Sequence, residues 1–251
     1  MVVCDRGYLK HQVEWREDLA KEAQCPVIQV ETDVVVPVEA AAEKEMYSAA
    51  TLRPRIHRVL DRYLIPPGEN TTDLPHHDID IQGIEMSDPD LILKGLDING
   101  KVEGVKWLKG GTSRALELFH DFIANGLDRY HLYRNDPSLG IQSNMAPYLH
   151  FGQISPITLA LIANEAGSPG TESFLEELII RRELAFNFVH YNQKYDSFDS
   201  LPNWARGTLE EHSRDMREYL YSVEELESGE THDPYWNSAQ KEMVITGKMH
   251  N

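Results

Sequence analysis

The sequence predicts an α/β segment followed by an all-α domain, and three observations carry that prediction. Two β-branched runs flank a helically spaced stretch within residues 1–31, almost every segment beyond residue 110 has helical spacing, and an acidic, aperiodic stretch lies between. We therefore divide the chain into residues 1–65 with α/β character, a linker at 66–110, and a helical domain at 111–251.

"MVVCDRGYL" reads as a short apolar strand entering a turn at Gly7, "HQVEWREDLAKEA" as a helix, and "PVIQVE" as a β-branched strand. One strand-helix-strand unit leaves its edges uncovered, so this end reads as cut from a larger α/β domain. "VVVPV" extends the β-branched character, and Pro37 confines it to a strand edge or exit. In "TLRPRIHRVLDRYLI" the residues Ile56, Val59, Leu60, Tyr63 and Leu64 recur at three and four, predicting one amphipathic helix ended by Pro66-Pro67. Residues 66–100 carry eight acidic residues against one Lys, with scattered Gly and Pro, and read as a wrapping connection. "HHDID" at 76–80 lies in this acidic stretch and reads as a solvated loop, not a metal site. Helices are predicted over 113–125, 155–166, 172–191, 203–213 and 233–247.

The 251 residues, 41% apolar, are enough to bury a core. No run of about 18 apolar residues could span a bilayer and the start lacks a secretory pattern, so the expectation is a soluble, cytoplasmic, monomeric protein. Cys4 and Cys25 form no Cys-x-x-Cys pair and read as buried, inert thiols. With 24 basic against 41 acidic side chains the net charge is −17, which disfavours non-specific polyanion binding. Any nucleic-acid contact must be local.

"TESFLEELIIRRELAFNFVHY" is the most informative stretch. At about 100° per residue Glu176, Glu183 and Asn187 share one arc, the expected solvent face. Glu177 and Arg181 fall among Phe174, Leu184 and Phe188, and Arg182 falls among Leu175, Leu178 and Val189. A Glu-to-Arg pair four residues apart would account for one pair of charges. Three charges on apolar faces point instead to a polar ligand inside the helical domain.

"RNDPSLGIQSNMAPYLHFGQISP", residues 134–156, offers a partner for that helix. Ser143 and Asn144 precede an Ala-Pro that can open a helix, so they can cap it and leave N–H groups for a phosphate or pyrophosphate. Arg134 can meet a phosphate or pair with Asp136. The aromatic residues Tyr130, Tyr133, Tyr148, Phe151, Tyr191, Tyr195, Trp204, Tyr235 and Trp236 read mostly as core or interface.

"SNMAPYLHFGQISP", "FLEELIIRRELAFNFVHYNQKYDS", "LPNWARGTLEEHSRD" and "THDPYWNSAQKEMVITGKMH" together resemble the class II DNA photolyases of the photolyase and cryptochrome family. "VVCDRGYL" and "VIQVETDVVVPVE" resemble the end of that family's N-terminal, Rossmann-like α/β domain. The resemblance implies an all-helical FAD-binding domain and light-driven splitting of cyclobutane pyrimidine dimers in ultraviolet-damaged DNA, through a reduced, anionic FAD whose excited state passes an electron to the dimer. It also implies an antenna chromophore in the intact protein.

Carried over by motif, Tyr130 and the segment Gln142, Ser143, Asn144, Met145 and Ala146 match FAD-contacting positions, and Arg181 matches an arginine at the flavin. Arg134 matches an arginine facing the lesion, and Glu177 a glutamate that contacts the dimer, protonated if burial encourages it. Trp236 matches a tryptophan in the electron path to the flavin. His150 then reads as structural.

The chain stops at "GKMHN", where the family continues, and is expected to be a fragment lacking both ends. Asn144 and Ala146 soften the Ser-rich phosphate segment, and Asn251 stands where the family usually has Gly. Residues 111–251 hold 11 basic and 21 acidic side chains, so any DNA-facing positive surface there must be small. A flavin photoreceptor of the cryptochrome type is the alternative, as is an inactive fragment; Glu177 and Arg134 favour repair.

Overall fold

The computed structural model describes residues 1–68, 83, 87–96 and 104–249. "HHDID" and Asn251 lie outside the described residues, as does part of the expected linker. Contacts group Met1–Pro66 with Gly110–Leu220 as one unit, and Pro67–Lys109 with Tyr221–Asn251 as a second.

The first unit opens as the spacing predicts. Strand β1 (Val2–Asp5) leads through α1 (Lys10–Glu22) to β2 (Val27–Val30), and the strands pair in parallel from Val2 opposite Val27 to Asp5 opposite Val30. A parallel return needs a crossover, which α1 supplies. Cys4 is half-buried and Cys25 exposed, against the expectation of two buried thiols. A thiol needs packed neighbours to be buried, and a two-stranded sheet supplies few.

The "VVVPV" run forms no strand. Val34, Val35 and Val36 are buried in an irregular segment, and Pro37 precedes a one-turn helix, α2 (Val38–Ala41). Burial without strand pairing leaves N–H groups to be satisfied elsewhere. The single helix expected over 51–65 is two, α3 (Ala49–His57) and α4 (Leu60–Tyr63). The chain tightens where Val59 N–H donates to Ile56 O at 3.0 Å, three residues back, and Leu52 and Ile56 anchor only the first piece.

In the second unit α5 (Pro89–Lys94) starts on Asp88, whose carboxylate accepts Leu91 N–H at 3.1 Å. The helical spacing then holds in the first unit: α6 (Thr112–Asn125), α7 (Leu127–Tyr133), α8 (Ala146–His150), α9 (Pro156–Ala166) and α10 (Thr171–Leu175). A π-helical turn, Glu176–Arg181, joins α10 to α11 (Arg182–Tyr191), and α12 (Asn203–Glu211) follows. The second unit resumes with α13 (Val223–Ser228) and α14 (Pro234–Thr246), and Trp107 Nε1 donates to Thr246 O at 2.7 Å.

The expected solvent face of residues 171–191 is a buried face. Glu183 is 3% and Asn187 1% exposed. Two physical reasons explain the reversal. In the π turn the bonds run i to i+5, as when Arg182 N–H donates to Glu177 O, so a uniform 100° step misplaces every residue beyond it. The buried polar groups are also partnered. Glu183 Oε1 accepts Val35 N–H at 2.6 Å and Val36 N–H at 3.1 Å, and Asn187 Oδ1 accepts Met46 N–H at 2.7 Å while its Nδ2 donates to Lys44 O at 3.2 Å. Tyr191 adds a bond from its hydroxyl to Ala42 O at 2.6 Å, and Arg182 donates to Asp33 O. One helix edge thus supplies the partners that residues 33–46 would otherwise need from a sheet. Tyr8, Val34 and Val38 pack beside it against Phe186, Val189 and Tyr191.

Burial pushes the Glu183 carboxyl from its ordinary 4.5 up to about 8, opposed by the two backbone N–H groups and Arg182; Oε2 is buried with no partner among the described residues. The folded-state value lies above the unfolded one, so the folded protein keeps a proton that the unfolded chain releases. That contribution is fully present below about 4.5 and is lost as pH rises through about 8. Chemical denaturation between pH 5 and 9 should show stability falling with pH, with Glu183→Gln flattening the slope. Glu183→Ala, which orphans two buried N–H groups, should cost about 2–4 kcal/mol.

Candidate functional site

Tyr130 stands on α7 with its ring in an aromatic nest. Phe122 lies at 5.6 Å edge-on and Phe174 at 5.9 Å, while Phe119 and Phe122 sit 5.5 and 5.3 Å from Phe174. The 3.6-residue spacing of Ala115, Phe119 and Phe122 turns one face of α6 onto this nest, which fixes the tyrosine rotamer. Desolvation holds the Tyr130 phenol above its ordinary value, and nearby Glu177 adds to this while Arg134 opposes it. The phenol therefore stays protonated, with its oxygen toward the Arg134 guanidinium.

One turn on, Arg134 pairs with Glu177 of the π turn, their side chains 28% and 35% exposed. Hydrogen bonding to Glu177 holds the guanidinium above its ordinary range. The partner is a carboxylate distant in sequence, while the Oδ1 of the nearby Asp136 accepts Ser138 N–H at 2.9 Å. The Glu177 carboxyl meets a cation and not an apolar wall. Gln142 folds the loop back, its Nε2 donating to Arg134 O at 2.6 Å. Tyr130, Arg134, Gln142 and Glu177 are thus brought together.

The next residues follow directly. Ile141 and Met145 are buried, and Gln142, Ser143 and Asn144 are half-buried between them, with Asn144 at φ 55° in the left-handed region that short polar side chains tolerate. Ser143 and Asn144 do not cap α8, contrary to the spacing argument. Met145 occupies the cap position with no side-chain bond, Ser143 Oγ accepts Met145 N–H at 3.4 Å, and Asn144 Nδ2 donates to Gln142 O at 3.3 Å. The side-chain bonds close before the helix opens, because Pro147 and the left-handed Asn144 place the turn one residue early. Exposed Ala146 begins the helix. The segment still carries hydroxyl and amide donors and no acid, a set that suits a pyrophosphate in kind.

Arg181 is elsewhere. Instead of pairing with Glu177 four residues back, its Nε reaches Glu176 Oε1 at 3.3 Å, five residues back, as π geometry dictates. Trp236 belongs to the second unit, its N–H donating to the capping Asp233 at 3.2 Å. His150 is exposed at the end of α8, edge-on to Phe151 at 4.7 Å. Of the aromatic residues expected mostly in core or interface, Tyr130 and Tyr148 are buried, but Phe151, Trp204 and Tyr235 are more than 70% exposed.

Spacing alone missed two residues. Gly170 lets α10 abut α7, since a Cβ there would lie 1.8 Å from Leu127 O and 3.1 Å from Tyr130 Cβ. Its sequence signal is only that of a glycine before a helix. Arg53, on α3, reaches Glu176 and carries no local signal at all.

With that geometry in place, the relatives become informative. A deoxyribodipyrimidine photo-lyase of Methanothermobacter thermautotrophicus is 50% identical over 249 residues, 99% of this chain and 54% of that protein. The chain is similar to photolyases along nearly its whole length. Proteins of the same name from Potorous tridactylus and Arabidopsis thaliana are each 38% identical over 99% of the chain, covering 47% and 52% of their own lengths. The chain spans about half the length of the curated relatives it matches. No protein-family model matches. A cryptochrome structure from Synechocystis sp. PCC6803 superposes with TM-score 0.72 at 17% identity over 98% of this chain and 52% of that one. A class III photolyase from Agrobacterium tumefaciens gives 0.71 at 18% over 100% and 52%. The fold is that of the photolyase and cryptochrome structures, in part: a small parallel sheet and a mostly helical body. Among the described residues no helix is long and apolar enough to cross a membrane.

Gly170→Ala should separate α7 from α10. The expected loss is about 1–3 kcal/mol, read by thermal melting, together with a changed near-ultraviolet circular dichroism signal from the Tyr130 nest. An unchanged melt and spectrum would show that the helices have slack there.

Proposed function

We propose that this chain is about half of a class II cyclobutane pyrimidine dimer photolyase, working on ultraviolet-damaged DNA with reduced FAD. The observation that carries the reading is the Arg134–Glu177 pair beside buried Tyr130, in a chain half identical to a named photolyase over almost all its length. Tyr130, Gln142, Ser143, Asn144, Met145, Ala146 and Arg181 would hold the FAD, Ser143 and Asn144 by donating to its phosphates. When bound, the reduced flavin supplies the photoexcited electron that splits the dimer.

The protein's own residues do the rest. A pyrimidine dimer presents N–H donors and carbonyl acceptors, and the pair matches both: the Glu177 carboxylate accepts while the Arg134 guanidinium donates. Both side chains are partly exposed, so a ligand can enter the pair without unfolding the nest beneath it. Tyr130, locked by Phe122 and Phe174, closes the floor and keeps water from it. A dimer already weakly stacked in DNA costs less to flip into such a site. Trp236 would serve the electron path that reduces the flavin, and an antenna chromophore would belong to the intact protein.

The test is a repair assay under near-ultraviolet light, with FAD-loaded protein and a dimer-containing oligonucleotide. It is run on the 251 residues alone and on a fusion to the parts of the Methanothermobacter relative that they do not cover. Light-dependent loss of dimers is expected in at least the fusion, and Glu177→Ala should slow it about tenfold or more with flavin retained. Flavin-loaded fusion that splits no dimers in light would favour a photoreceptor without repair. An unchanged yield in Glu177→Ala would remove Glu177 from the site.

A further inference from the structure

Glu176 receives two guanidinium groups from different parts of the first unit. Arg53 forks onto it, Nε to Oε2 at 2.9 Å and Nη2 to Oε1 at 2.7 Å, and Arg181 Nε reaches the same Oε1 at 3.3 Å. The hydrogen bonds and charge of Arg53, followed by Arg181, hold the Glu176 carboxyl below the usual carboxylate range despite some burial. One carboxylate therefore faces two cations, and a positive charge is left over.

The leftover donors are available. The Arg53 and Arg181 side chains are 38% and 55% exposed. Arg53 Nη1 and both Nη atoms of Arg181 make no hydrogen bond or ion pair among the described residues. A brace between α3 and the π turn would need Arg53 and Glu176 alone, and the second guanidinium serves no such purpose. π turns are frequent at functional sites, and this one presents Glu176 to the two arginines and Glu177 to Arg134 on consecutive residues. Two planar forks on one carboxylate, each with donors to spare, suit a phosphate ester.

We propose that Arg53 and Arg181, aligned by Glu176 as a positioning residue, form a phosphate-ester recognition point at the edge of the Arg134–Glu177 site. The inference rests on the photolyase reading for its two candidate sources, the pyrophosphate of the dinucleotide cofactor and a phosphodiester of the DNA strand. Arg53 is thereby a binding residue.

Titration of the 251-residue protein with FAD, with FMN and with undamaged duplex DNA over a range of salt separates these sources. Arg53→Gln should weaken one of them about tenfold. A loss for FAD but not for FMN or DNA assigns the pyrophosphate. A fall of about 1 in the slope of log affinity against log salt for DNA assigns the phosphodiester. Arg53→Lys keeps the charge and loses the fork, so it should also weaken binding while safeguarding the fold. Glu176→Gln is the decisive variant. It makes the protein more positive, so bulk electrostatics would tighten binding, whereas a positioning role predicts weaker binding. Tighter or unchanged binding in Glu176→Gln, unchanged binding of every probe in Arg53→Gln, or no binding of FAD or DNA at all would overturn the proposal. A flavin-loaded fusion to the uncovered parts of the Methanothermobacter relative that binds through these residues but splits no dimers in light would end the repair reading and leave the recognition point standing.

Discussion

The first unit depends on a carboxyl group and an amide buried on one edge of α11. Val34, Val35 and Val36 are as apolar as a core strand, yet no strand pairs with them. A buried N–H without a partner costs about 1–3 kcal/mol, so this segment could not stay inside without help. Glu183 and Asn187 supply it, joining residues 35, 36 and 46 to a helix some 140 residues later in the chain. Polar side chains here stand where a neighbouring strand would. The arrangement leaves Glu183 poorly solvated, which is why its proton is held so far above the ordinary range.

That anchorage has consequences one turn earlier. With α11 tied to residues 33–46 and α10 pressed onto α7 at Gly170, the helix between them has both ends fixed. The π turn at Glu176–Arg181 is where the extra residue is accommodated. It separates two adjacent acids by partner. Glu176 turns toward Arg53 and Arg181, and Glu177 toward Arg134 and Tyr130. Register, not residue type, distinguishes them.

Much of the fold was legible because it rests on local pattern. The strand-helix-strand opening and the helices at 112–125, 156–166, 171–191, 203–211 and 234–246 follow from periodicity, caps and breakers. Tyr130, Arg134 and Glu177 were legible as site candidates by motif, and the structure brings them together. The solvent face of α11 was misread, since one i-to-i+5 turn rotates everything after it and periodicity cannot see a backbone N–H arriving from residue 35. The helix cap at Ser143 and Asn144 was misread by one residue through a left-handed Asn144. Arg53 and Gly170 were invisible, because one acts across 123 positions of chain and the other by lacking a side chain. The failures at Arg53, Gly170 and Glu183 are long-range contacts, whereas those at Asn144 and the π turn are local backbone departures that residue type does not announce.

The polar residues of one helix are divided between holding the fold, through Glu183 and Asn187, and facing the arginines Arg53, Arg181 and Arg134, through Glu176 and Glu177. The most direct test of that division is native-state hydrogen exchange at single residues. The account predicts that the Val35, Val36 and Met46 amides, though outside any helix or strand, exchange as slowly as the core amides of α11, and that Val35 and Val36 lose this protection in Glu183→Ala. Exchange of these amides at the rate of an open loop in the unaltered protein would contradict it.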